Sequence, residues 1–242
     1  MTNATNGDLV GHFRVGYEAV VRFPILIAPP IAVAVLGFVL FFLLGGSAAV
    51  IGAAMGGLFG GGGGVAAGGM AGFVLGVFMF GLVMGILGLL SSAVVVVMAR
   101  DALGGREPAI GEALATVVGR LGAVVGATFL VTAIVGLGFL VFVLPGIVAA
   151  VLLVFTLPAV LLDGDGAVDA MRRSVRIVRT SPGPVIGLVA GAILIVVGVA
   201  LASWLVGFVP VLGALASFVL HSAALSFLTV VAVRFYQTLR TP

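Results

Sequence analysis

Very few side chains in this sequence can do acid–base or ligand chemistry. His12 and His221 are its only imidazoles, and it contains no cysteine, so thiolate catalysis, disulfides and zinc–thiolate sites are excluded. His221 falls near the middle of a long charge-free run, with Ser217 four residues before it and Ser222, Ser226 and Thr229 along a neighbouring face. An ionisable group at such depth in an apolar segment is a functional candidate, because placing charge there is costly. Thr132 or Thr156 is expected opposite, completing an intramembrane polar site that would suit passage of a small molecule or ion. The competing role for His221 is a neutral imidazole hydrogen-bonded to a neighbouring helix.

The second chemical feature is the stretch GDGAVDAMRRSVRIVR, residues 164–179, which carries four of the eleven arginines. Asp163, Asp165 and Asp169 resemble part of a calcium loop, but the central ligand and the glycine are misplaced and no bidentate acid closes it, so no metal and no cofactor is expected. Asp165 is read instead as a helix cap, and Asp169 as the i, i+4 partner of Arg173. Val168, Met171, Val175 and Val178 form one stripe, and Arg172, Arg173, Arg176 and Arg179 the polar side. This pattern predicts a helix over 166–180 lying in a membrane interface, with the arginines on anionic lipid headgroups. Neither G-x-S-x-G nor H-E-x-x-H occurs, and the reading is a protein that is not an enzyme.

These residues must be positioned by membrane helices. The 242 residues are 62% hydrophobic and 8% charged, with mean hydropathy +1.42, a composition that leaves no soluble domain enough polar surface. The pI near 10.6 does not point to nucleic acid, since no basic cluster has aromatic residues interleaved for base stacking. No charge occurs between Arg22 and Arg100, Arg120 and Asp163, or Arg179 and Arg234. Each gap has room for two helices of about 20 residues. The expected fold is all-α: six transmembrane helices, at 24–44, 70–98, 121–142, 145–162, 184–206 and 211–233, arranged as three hairpins. Their corners are residues 45–69, Leu144-Pro145-Gly146 and Phe208-Val209-Pro210. All charge lies outside the spans and these corners, so both termini are expected in the cytoplasm, the chain being a multi-pass protein of the cell membrane. Trp204, Tyr17 and Tyr236 sit at span ends.

An amphipathic segment precedes each hairpin. The first carries Leu9, Phe13, Tyr17 and Val20 on one face; the second, with Pro108 as a first-turn proline, carries Ile110, Leu114, Val117 and Leu121. The third is the arginine helix. The pattern suggests one integral membrane domain, 1–242, with pseudo-repeats near 8–98, 108–162 and 166–233. Residues 45–72 hold thirteen glycines, among them Gly60 to Gly64, and are read as an extracytoplasmic or re-entrant loop, with a seventh span as the alternative. Gly187, Gly191, Gly198 and Ala202 form a small-residue face for close helix packing.

The runs Leu144-Pro145-Gly146-Ile147, Phe155-Thr156-Leu157-Pro158-Ala159, Asp163-Gly164, Ala170-Met171, Arg173-Ser174 and Arg179 resemble the membrane domain attached to some bacterial glycerophosphoryl diester phosphodiesterases. The resemblance covers about residues 100–200. It implies a six-helix membrane domain without phosphodiesterase activity, since that chemistry belongs to a separate soluble barrel. The functional expectation is a non-enzymatic, lipid-interacting or membrane-organising protein with membrane lipids as partners.

Overall fold

The computed structural model describes residues 4–41, 43–44, 47–208 and 210–240, and every regular element among them is helical. In chain order these are α1 (Ala4–Arg22), a 3-10 turn (Pro24–Ile27), α2 (Ala28–Phe41), α3 (Ser47–Leu103), α4 (Ile110–Gly119), α5 (Leu121–Val141), α6 (Val143–Leu152), α7 (Thr156–Pro158), a π-helical turn (Ala159–Asp163), α8 (Ala167–Thr180), α9 (Pro182–Val206) and α10 (Pro210–Arg240). Among the described residues, six stretches are long and apolar enough to cross a membrane: Pro24–Phe41, Gly60–Leu103, Leu121–Val141, Val143–Asp163, Pro182–Val206 and Leu215–Arg240. The chain is a multi-pass membrane protein. It divides into two compact units, one of residues 30–91 and the other of the remainder.

In the unit of residues 30–91 the glycine-rich segment is helical from Ser47 onward, which corrects its reading as a loop over 47–69 and extends the second span beyond 70–98, to Gly60–Leu103; residues 45–46 lie outside the described residues. α3 reverses direction at Gly61, whose φ of 58° and ψ of −147° only glycine adopts readily. Its two arms then run antiparallel with their backbones in contact. A Cβ at Gly52 would strike the carbonyl oxygen of Gly68, one at Gly56 that of Gly64, and one at Gly72 that of Ala48. The same pairing continues into α2, where Gly37 faces Met84 and Phe41 meets Phe80 edge-on at 5.4 Å. Glycine is costly in an isolated helix, but four-residue glycine spacing lets two helices approach closely enough for that cost to be offset by backbone packing.

In the other unit α5 packs along α6, α9 along α10, and α1 crosses α9 and α10. Gly187 and Gly191 act as seats for large side chains: Leu9 fills the space over the first and Phe13 that over the second. Gly198 faces open space. The α1 face that packs inward is Leu9, His12, Phe13, Gly16 and Ala19, with His12 against Phe235 at 4.5 Å. Tyr17, expected on that face, is exposed. In α4 the buried pair is Ala113 and Val117, while Ile110, Leu114 and Leu121 are exposed, and Pro108 lies ahead of the first turn because the cap is Ala109.

The corner expected at Leu144-Pro145-Gly146 sits earlier. Phe142 is extended (φ −170°, ψ 155°) and breaks the chain between α5 and α6, so Pro145 falls in the first turn of α6, where a missing N–H removes no helical hydrogen bond. Gly146 lies under the Phe139 ring, 2.5 Å from where its Cβ would be, which lets α5 and α6 close together. Val209, in the third expected corner, lies outside the described residues.

Candidate lipid-contact site

The fourth apolar stretch is not one helix. α6 ends at Leu152, α7 starts at Thr156, and the break leaves backbone groups without helical partners. Ser174, fully buried on α8, closes the gap: its Oγ donates to the Leu152 carbonyl at 2.7 Å and accepts from the Phe155 N–H at 3.1 Å. One hydroxyl therefore satisfies a donor and an acceptor that would otherwise be orphaned away from water, and in doing so fixes α8 against the membrane helices.

The C-terminal end of this stretch is held by arginine. Arg120 Nη1 donates to the carbonyls of Val160 at 2.9 Å and Leu161 at 3.3 Å, the place where a helix presents free acceptors and partial negative charge. Gly164 follows with φ 78°, a conformation that favours glycine, and the Arg120 guanidinium lies against it.

Beyond it lies an ion cluster. Arg173 makes a bidentate pair with Asp165, through Nε at 2.5 Å and Nη2 at 3.0 Å, and reaches Asp163 at 3.3 Å. Asp163 also accepts from the Tyr236 hydroxyl and from Arg240, which ties α10 to the start of α8. The hydrogen bond to Asp165 holds the Arg173 guanidinium above its ordinary pKa. Two sequence readings are corrected here. Asp165 is not a cap: residue Gly166 occupies that position with no side-chain bond, while Asp165 clamps Arg173. Asp169 pairs with Arg172 at 3.7 Å rather than with Arg173.

α8 consequently has three faces. Ala170, Ser174, Ile177 and Val178 are buried against the rest of the unit. Val168, Met171 and Val175, expected to share one apolar stripe with Val178, lie about 100° round the helix and are half-buried or exposed, whereas Val178 is buried. Arg172, Arg176 and Arg179 follow within about 60° of arc and are exposed. Arg173 lies about 60° beyond Arg176 and is held by Asp165 and Asp163, whereas Arg172, beside its ion pair with Asp169, and Arg176 and Arg179 are exposed. Beside them a crevice of about 500 Å³ runs between α5, α6 and α8. Leu130, Ile134, Ala149 and Leu152 line it from α5 and α6, and Met171, Arg172 and Val175 from α8.

The intramembrane polar residues expected to meet are divided between places. His221 is exposed; its Nδ1–H donates to the Ser217 carbonyl at 2.8 Å, and Ser203 Oγ on α9 lies 3.4 Å away. Ser222 is buried beside it, and Ser226 donates to the Leu26 carbonyl at 2.8 Å, fastening the 3-10 turn to α10. Thr132 and Thr156 line a separate cavity between α5 and α6–α7 that His221 does not reach. The roles of Ser174, Arg120 and Tyr236 are not legible in the sequence. Ser174 carries a faint signal as a small polar residue breaking the apolar side of an otherwise amphipathic segment, whereas Arg120 and Tyr236 look like ordinary residues at span ends. Compared with protein-family models, curated proteins and solved structures, the chain matches none of them significantly.

Proposed function

We propose that this chain is a non-enzymatic membrane protein that binds lipids with anionic headgroups at α8, in a lipid-organising role. The observation that carries the reading is the combination of Arg172, Arg176 and Arg179 on one exposed arc with a largely apolar crevice that Arg172 helps to line. Phosphate oxygens suit guanidinium donors, and an acyl chain suits the crevice wall of Leu130, Ile134 and Leu152. In this reading the spans form three hairpins, α2 with α3, α5 with α6–α7 and α9 with α10, and α1, α4 and α8 lie along the cytoplasmic surface with both termini. The charge asymmetry of the sequence and the pairwise packing of α5 with α6 and of α9 with α10 support it. The resemblance to the phosphodiesterase-associated membrane domain fits the same arrangement. Passage of a solute by way of His221 is less well supported, because the ring is on the outer surface of the helix pair and its donor is occupied by Ser217.

Native mass spectrometry of the protein in mixed phosphatidylglycerol and phosphatidylcholine tests this. The wild type should retain phosphatidylglycerol preferentially. Arg172→Gln/Arg176→Gln/Arg179→Gln should reduce that preference about tenfold or more, at about 1 kcal/mol for each arginine near the surface. Arg173→Gln should leave the preference in place and lower thermal stability instead. An unchanged preference in the triple variant would count against headgroup binding at α8.

A further inference from the structure

We infer that the cavity between α5 and α6–α7 is a second site, which takes an uncharged amphiphile from the hydrocarbon phase and holds its hydroxyl or carbonyl head on Thr156. The cavity is about 530 Å³, within the range of small-molecule sites. Thr128, Thr132 and Gly136 recur every four residues along its α5 wall, in the central part of that helix, and Thr156 faces them from α7.

Thr156 is the reason to expect a ligand. Its side chain is 2% exposed, and its Oγ1 is buried with no hydrogen-bond partner among the described residues. A threonine in a helix ordinarily satisfies its hydroxyl on the carbonyl four residues back. Thr156 opens a new helix just after the break at residues 153–155, so it has no intact preceding turn on which to lay its hydroxyl, and its Oγ1 stays unpaired. The open space that Thr156 lines is the cavity.

The lining selects the class of ligand. Apart from its three threonine hydroxyls the side chains are apolar, Val131, Val135, Val154 and Leu157 among them, and none is charged. A charged ligand would be desolvated in mid-membrane without compensation, so a neutral head on a hydrocarbon body is what fits. The site does not depend on headgroup contact at α8.

Photolabelling in phosphatidylcholine nanodiscs tests the inference, with a diazirine-bearing hexadecanol and the matching diazirine-bearing hexadecane as probes. The alcohol should label residues 128–136 and 150–157 at least fivefold more than the hydrocarbon does. Thr156→Val should abolish that excess while raising the melting temperature of the ligand-free protein, because the orphaned hydroxyl is replaced by a methyl group of similar shape. Ala150→Phe, which fills the cavity, should suppress labelling of both stretches by either probe. Equal labelling by alcohol and hydrocarbon, an excess that survives Thr156→Val, or labelling concentrated elsewhere would each overturn the assignment.

Discussion

Ser174→Ala is expected to lower stability by about 2–6 kcal/mol, since it orphans a buried donor and a buried acceptor at once and each such group costs about 1–3 kcal/mol. The Leu152 carbonyl and the Phe155 N–H have no helix to rejoin, because α6 has already ended. The effect should read out as a drop of several degrees or more in the thermal unfolding of detergent-solubilised protein. Thr180→Ala, on the same helix but exposed, removes only a local hydroxyl bond to Arg176 and Ile177 and should change little. Equal melting temperatures for Ser174→Ala and wild type would mean that the break in the fourth span is not held by α8.

Gly56→Val should be comparably damaging, by a different mechanism. Its Cβ would overlap the Gly64 carbonyl oxygen, which is backbone and cannot rotate away, so the two arms of α3 must separate and lose the adjacent contacts of Gly52 with Gly68 and Ala48 with Gly72. Overpacking in a closely fitted interior costs about 1–3 kcal/mol, and a backbone-to-backbone contact should lie at the upper end. The chain has no cysteine, so a single engineered pair reports cleanly. Ala53→Cys/Gly69→Cys, where a Cβ on Gly69 would lie 3.4 Å from that of Ala53, should cross-link under mild oxidation, and the added Gly56→Val should lower the yield several-fold. Undiminished cross-linking in the triple variant would show that the arms do not depend on glycine contact.

The membrane class and the six apolar stretches are readable because they rest on hydropathy and charge gaps, which need no tertiary information. Boundaries fail where backbone packing overrides local preference. Residues 47–72 look like loop by glycine propensity alone, yet Gly52, Gly56, Gly64 and Gly68 form a helix contact once the chain reverses at Gly61. Periodicity finds the arginine side of α8 and misassigns Arg173, because spacing cannot tell a guanidinium facing a headgroup from one clamped by Asp165 eight residues back. The same limit applies to the apolar side of that helix: Val168, Met171 and Val175 are the larger residues, but the face that packs includes the smaller Ala170 and Ser174. Thr132 and Thr156 do share a cavity, while His221, on a different helix pair, could be grouped with them only by depth along its span.

The most direct test of α8 as an interfacial lipid-contact helix is a set of single spin labels along it, read for depth by collisional relaxation in phosphatidylglycerol-containing bilayers. Labels at Val168 and Met171 should be accessible to oxygen and protected from a water-soluble nickel complex, as expected for the upper acyl region. Labels at Arg176 and Arg179 should show the reverse, and a label at Ala170 should be immobile and protected from both. Uniform nickel accessibility with high mobility at all five positions would contradict the placement, and with it the headgroup site.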